Sequence, residues 1–281
     1  MILVKLEQSQ VPVTYADDWN SRPRPRRARA PRPAIEPATI FQPQDPSLSP
    51  AEHFPLQSNT AVGAFPRFIN RFDSREILLV VDGSCVNNGR HVDENAAPVA
   101  GCAFQFKSNG TLVTPADAIS SLPYVGSNAG TAGTVAFRLE RMGPTGQEFE
   151  PTSNRAKLRA VIAALQFRAW YGEGWRRVVI LTDLEYVVDG ATQYLPSWAR
   201  RQWRKPGRKG KYANRDLWRE FMRVMELLRA HGCDVAFWLV RPFDEMGTKF
   251  LAETKLAARN AARERVGVIH EEFTKLCGIL L

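Results

Sequence analysis

Two stretches decide the fold: Glu76-Ile-Leu-Leu-Val-Val-Asp-Gly-Ser-Cys-Val-Asn-Asn-Gly89 and Arg177-Val-Val-Ile-Leu-Thr-Asp-Leu-Glu-Tyr-Val-Val-Asp-Gly190. Each opens with a short, unbroken run of branched apolar residues and stops at an aspartate, the pattern of a strand buried on both faces. Asp82 and Asp183 therefore sit at equivalent strand ends. In open α/β sheets, ligands bind in the crevice beyond the carboxyl ends of the strands, so two acids delivered there are candidates to share a metal ion. The plain alternative is that a strand-terminal Asp followed by Gly, as Asp82 is by Gly83, is simply a turn residue.

Further elements follow outward from these two. Strands are expected over 100–107 and 133–140, punctuated by the turn formers Asn87-Asn88-Gly89 and Ser108-Asn109-Gly110. Residues 152–170 begin with capping types and place Leu158, Val161, Ile162 and Leu165 on one face, which predicts an amphipathic helix. A short helix is expected over 186–193, helices over 216–231 and 247–265, and a strand over 235–240. The order β-β-β-α-β-α-α-β-α defines an α/β protein with a mixed sheet and helices on both faces.

Before residue 65 the composition changes. Ser21 to Pro33 interleaves arginine with proline, and prolines recur at 37, 43, 46, 50 and 55. Proline removes backbone donors and the segment has little to bury, so 1–64 is expected to be mostly disordered, most clearly from about 14 to 57. Its arginines suit an electrostatic tether or an import signal as well as a plain solvated linker. The folded domain is expected over 65–265, with 266–281 as a helical extension.

The formal charge of +9 favours a polyanionic partner. Eight Lys or Arg residues and no acid fall between Arg200 and Arg215, interleaved with Trp198 and Trp203. Cations there suit phosphates and indoles suit sugars or bases, unless the loop is merely solvated and a tryptophan belongs to the core. The candidate binding residues are Trp198, Arg201, Trp203, Arg204, Lys205, Arg208, Lys209 and Lys211. Four scattered cysteines form no CxxC pair, and no run approaches the roughly 18 apolar residues of a membrane span. Neither a zinc site, a disulfide framework nor a membrane partner is expected, and the protein reads as intracellular, nuclear or cytoplasmic.

Five motifs occur in a telling order: VVDGSCVNNG, AGCAFQF, TSNRAKLRAVIAALQF, VVILTDLEYVVDGAT and NRDLW. Together they resemble ribonuclease H type 1 domains, the fungal members in particular, over about two thirds of the chain. The resemblance implies a five-stranded mixed sheet flanked by helices, and cleavage of the RNA strand of an RNA/DNA hybrid by carboxylates that hold two Mg²⁺ ions. By motif, Asp82 and Asp183 match two of the family's four acids. At the third, NRAEL is replaced by Asn154-Arg155-Ala156-Lys157-Leu158, which puts Lys157 where an acid belongs. At the fourth, the pattern ADxLA fits Thr248-Lys249-Phe250-Leu251-Ala252 and puts Lys249 there, while a shift of four residues offers Glu253 as a substitute. Leu184 replaces the serine of the TDS motif, and no histidine lies between Leu239 and Lys249. The resemblance also implies that Asn87, Asn88 and Asn154 touch RNA through 2′-hydroxyls, where a turn and a helix cap are the plain alternatives.

These residues predict a nucleic-acid-binding protein, for RNA/DNA hybrid or duplex RNA, with Mg²⁺ binding weakened or lost and hydrolysis lost or impaired. Two alternatives stand beside it: an active hybrid endoribonuclease that uses Asp82, Asp183 and Glu253, and a protein-interaction scaffold. No feature of the sequence sets an oligomeric state.

Overall fold

The computed structural model describes residues 35–59, 63–87, 97–106, 133–205, 207, 210, 212–263 and 271–274. These belong to one compact unit that begins at Ile35. The elements, in chain order, are β1 (Thr39–Ile40), α1 (Pro50–His53), β2 (Leu56–Asn59), β3 (Gly63–Phe68), β4 (Glu76–Val86), β5 (Val99–Gln105), β6 (Thr134–Arg138), α2 (Ser153–Gln166), β7 (Arg177–Thr182), α3 (Glu185–Asp189), a π-helical turn (Gly190–Tyr194), α4 (Leu195–Arg200), α5 (Arg215–Ala230), β8 (Asp234–Leu239) and α6 (Glu245–Arg263).

The main sheet runs β1-β8-β7-β4-β5-β6, with β1, β8, β7 and β4 mutually parallel and β5 and β6 antiparallel to their neighbours. It is the expected mixed α/β sheet with one strand added at its edge. Alternation along β4 sorts the two faces. Ile77, Leu79 and Val81 pack in the core that contains Leu158 and Val161 of α2 and Phe221 of α5. Leu78 and Val80 face the opposite layer, with Leu251 of α6 and the aromatic residues Phe41, Phe54 and Phe68. By the same parity Asp82 points to the α6 side. Hybrid sheet geometry of this kind needs helices on both faces, because the central parallel strands expose no polar side.

The expectation of disorder fails between 35 and 57. There β1 adds to the edge of β8 through the pairs Thr39↔Ala236 and Ile40↔Phe237, α1 is closed by a capping box between Ser49 and Glu52, and Arg229 donates to the carbonyls of Glu36 and Pro37. The physical reason is aromatic burial. His53 is fully buried among Phe41, Phe54, Phe72 and Trp238, with ring centroids 5.1–5.6 Å from it. Isolated aromatic residues that dock singly leave no periodic trace in a proline-rich sequence. The Arg/Pro stretch 21–33 lies outside the described residues.

His53 makes this arm sensitive to pH. Burial holds its imidazole pKa below the ordinary value of 6.5, and its Nε2 accepts from Gln44 N at 3.1 Å, a contact that a protonated nitrogen loses. A histidine whose folded pKa is depressed contributes stability that is complete above its unfolded pKa and is lost as pH falls from about 6.5 toward the folded value. Thermal melts across that window should show wild type falling faster than His53→Phe; parallel curves would remove the imidazole from the account.

At the other end of the chain, Glu271–Thr274 show no helix. Met142 N donates to Glu271 O at 2.8 Å, and the Arg159 guanidinium donates to Thr274 O at 2.9 Å while lying over the Phe273 ring. The rest of the expected extension, 266–270 and 275–281, lies outside the described residues.

Candidate functional site

β4 and β7 run parallel in the register Val80↔Leu181, so two residues further on Asp82 and Asp183 emerge side by side at the carboxyl end of β7. Asp82 lies within β4 and Asp183 is the first residue after β7, and the two carboxylates share the Lys157 ammonium as an ion-pair partner. Asp82 is buried, 4% exposed, and Asp183 is partly open.

The third residue arrives on α2. Thr152 caps that helix, its hydroxyl accepting from Arg155 N at 3.1 Å, and Gly83 lets the first turn come down on the sheet. A Cβ on Gly83 would meet Lys157 N at 2.4 Å and the Ala156 carbonyl carbon at 2.5 Å, so only glycine permits this seat. Thus fixed, Lys157 puts its ammonium between the two acids: 2.8 Å from Asp82 Oδ1, and hydrogen bonded to Asp183 Oδ1.

The fourth arrives on α6. Gly101 of β5 seats this helix in the same way, since a Cβ there would lie 2.2 Å from Ala258 O and 2.5 Å from Ala262 N. The docked face is Leu251, Thr254, Ala258, Ala261 and Ala262. Lys255 borders that face, and its ammonium is 2.7 Å from Asp183 Oδ2. Lys249, expected at the acid position, does not reach the site: two residues before Leu251, it is turned about 200° from the docked face and lies exposed. The pattern xLA also fits Lys255-Leu256-Ala257, and that register was the signal available for finding Lys255 and its neighbour Thr254. Thr254 is fully buried beside the sheet, and its Oγ1 has no hydrogen-bond partner among the described residues.

Glu253 accepts from Gln105 Nε2 at 3.2 Å. Gln105 lies two residues along β5 from Ala103, the partner of Asp82, or about 7 Å away at the ordinary strand rise. Among the described residues, no three His, Cys, Asp or Glu side chains converge to hold a metal ion.

The electrostatics follow from the geometry. Burial pushes the Asp82 carboxyl above the usual range, and the Lys157 ammonium offsets this only in part. Burial acts on Asp183 in the same sense, but the hydrogen bonds and charges of Lys157 and Lys255 outweigh it and hold that carboxyl below the usual range. Burial would depress the Lys157 ammonium, yet the two carboxylates prevail and keep it above its ordinary value. Lys157 is therefore charged at neutral pH, and Asp82 is the carboxyl that protonates first on acidification.

The basic segment after α4 forms a second candidate surface. Arg201, Arg204 and Lys205 are exposed, but Trp203 is buried at 3% exposure and so does not face a ligand. It packs near Trp198, 6.4 Å between ring centroids, and the fold needs that packing because α4 and α5 meet there. Trp198 is partly open and stacks on Tyr194, 5.8 Å away and exposed. Tyr194 was missed in the sequence, although its spacing of four from Trp198 places the two rings on one helical face. Arg208, Lys209, Lys211 and Asn88 lie outside the described residues. Asn87 adopts a left-handed turn, φ 62°, and donates to Ala97 O at 3.4 Å. Asn154 is exposed in the first turn of α2, where the cap is Thr152 instead.

A mixed α/β sheet with two aspartates at adjoining strand ends, each reached by a helix of the flanking layers, defines a class with acid-centred sites at the strand termini. Comparison with known proteins makes this specific. The family model for RNase H matches residues 116–237. The chain is 32% identical over 119 residues to the ribonuclease H of Treponema pallidum, which covers 42% of this chain and 67% of that protein. It is 42% identical over 89 residues to the ribonuclease H of Halorhodospira halophila, covering 32% and 54%. The solution structure of the PFV RNase H domain is similar with a TM-score of 0.42 at 16% identity, covering 66% of this chain and 93% of that one. This chain belongs to the ribonuclease H family. It spans two thirds of the Treponema protein and about half of the Halorhodospira one.

Proposed function

We propose that this protein binds nucleic acid, as RNA/DNA hybrid or duplex RNA, and that its hydrolytic activity is lost or severely reduced. The observation that carries this reading is the Lys157 ammonium lodged between Asp82 and Asp183. Divalent ions of the Mg²⁺ type need several oxygen donors free to coordinate. Here Asp82 is ion-paired with Lys157, and Asp183 with both Lys157 and Lys255, two acids balanced by two cations. An ammonium about 4 Å from a divalent ion is opposed by roughly 8 kcal/mol at an effective dielectric near 20. The donor set therefore does not fit Mg²⁺.

Binding is supported by the exposed cations Arg201, Arg204 and Lys205 beside the Tyr194–Trp198 stack, a combination that suits a phosphate backbone and its bases. An interaction scaffold has no use for such a surface.

A labelled RNA/DNA hybrid tests both halves. The purified protein should bind it at low salt, with affinity falling steeply as salt rises, and should leave the RNA strand intact in Mg²⁺. Cleavage that stops in Asp82→Asn would establish the active-enzyme alternative. Unchanged affinity on charge reversal at Arg201, Arg204 and Lys205 would favour the scaffold.

A further inference from the structure

We propose that the amine-filled pocket is itself a phosphodiester-binding site that works without divalent cations, with Lys255 as the group that meets the phosphate. The inference rests on the nucleic-acid-binding reading above and adds to it which residue binds and what the binding does not require.

The two lysines differ in position. Lys157 is enclosed, its side chain 13% exposed, and both its carboxylate partners are spoken for. Lys255 is 38% exposed, and among the described residues its ion-pair partner is Asp183, through Oδ2 at 2.7 Å. An ammonium has three donors. One on Lys255 is engaged by Asp183, and its exposure leaves the outward side of the group open to solvent or to a ligand.

Charge explains why a phosphate would be received there. A pocket of bare carboxylates repels a phosphodiester, and cations must bridge the two before the backbone can approach. Two aspartates and two lysines cancel, so this pocket presents no net negative charge, and its outermost group is a cation. Arg241, on the loop after β8, is exposed and ion-paired at 3.6 Å with the exposed Glu185, which follows Asp183 by two residues, so that this acid is balanced and Lys255 remains the cation that faces outward. Side chains thus supply from within the chain the charge that the backbone needs.

The test is fluorescence anisotropy of a labelled RNA/DNA hybrid with the 281-residue chain, in EDTA and in millimolar MgCl₂, each across a salt series. Wild type should bind with the same Kd in both buffers to within about twofold. Lys255→Gln should bind several-fold more weakly, with the slope of log K against log salt reduced by about 0.9, the value for one phosphate contact. Lys249→Gln, on the far face of α6, should leave the slope unchanged, and a thermal melt of each variant separates lost contacts from lost fold. Binding that appears only with Mg²⁺, or a slope that Lys255→Gln does not move, overturns the inference while leaving nucleic-acid binding in place. No binding at low salt in either buffer overturns both.

Discussion

Lys157→Met is expected to cost about 3–5 kcal/mol of folding free energy at neutral pH, the usual penalty for removing one partner of a buried ion pair. Methionine fills much of the same space, so the loss is one of charge rather than packing. Without the ammonium, Asp82 is left buried and faces Asp183 with nothing between them. The Asp82 carboxyl, already raised by burial, then rises further above that of the unfolded chain, because the ammonium that offset burial is gone while the Asp183 charge remains. A carboxyl with a raised folded pKa weakens the fold above its unfolded pKa, and the deficit closes as pH falls and the folded state takes up a proton. Urea denaturation near neutrality and again near pH 5 should therefore show the variant's deficit shrinking in acid. Asp82→Asn combined with Lys157→Met should recover most of the loss. A deficit that is the same at both pH values would mean that Lys157 supports the fold through packing alone.

Lys157→Glu is expected to have the opposite chemical consequence and the largest functional one. It changes the local charge by two units and gathers three carboxylates around one point, which is unfavourable until a divalent cation neutralises them. The metal-free variant should melt below wild type and then gain stability when Mn²⁺ or Mg²⁺ is added. At a concentration of about 100 times Kd, linkage gives about 2.7 kcal/mol, or roughly 5–10 °C for a domain of this size. Wild type should show no such gain. Equal divalent-ion responses in the two proteins would mean that Lys157 does not govern access to the pocket.

Much of this site was legible in the sequence. The apolar runs that end at Asp82 and Asp183 fix their strands, and the intact Asn154, Arg155, Ala156 and Leu158 around Lys157 hold its register. Gly83 follows from the same motif once the close helix approach is seen. The last helix was less legible, because Ala, Leu and Lys recur along it and ADxLA finds more than one seat; Gly101, on a different strand, decides between them by receiving Ala258 and Ala262. Trp198 and Trp203 look alike in sequence, yet one is partly open on α4 and the other is buried in the turn that follows it, where no periodicity extends from the helix to sort them. The arm from 35 to 57 was hidden for a related reason: its docking depends on His53 and its neighbours Phe41 and Phe54 packing against Trp238, far along the chain.

Mn²⁺ uptake by the wild-type protein, followed by the loss of free-ion electron paramagnetic resonance signal, most directly probes whether lysine amines have taken over the pocket between Asp82 and Asp183. The expected result is no saturable uptake that depends on Asp82, with wild type and Asp82→Asn giving the same titration. A saturable site present in wild type and abolished in Asp82→Asn would contradict it.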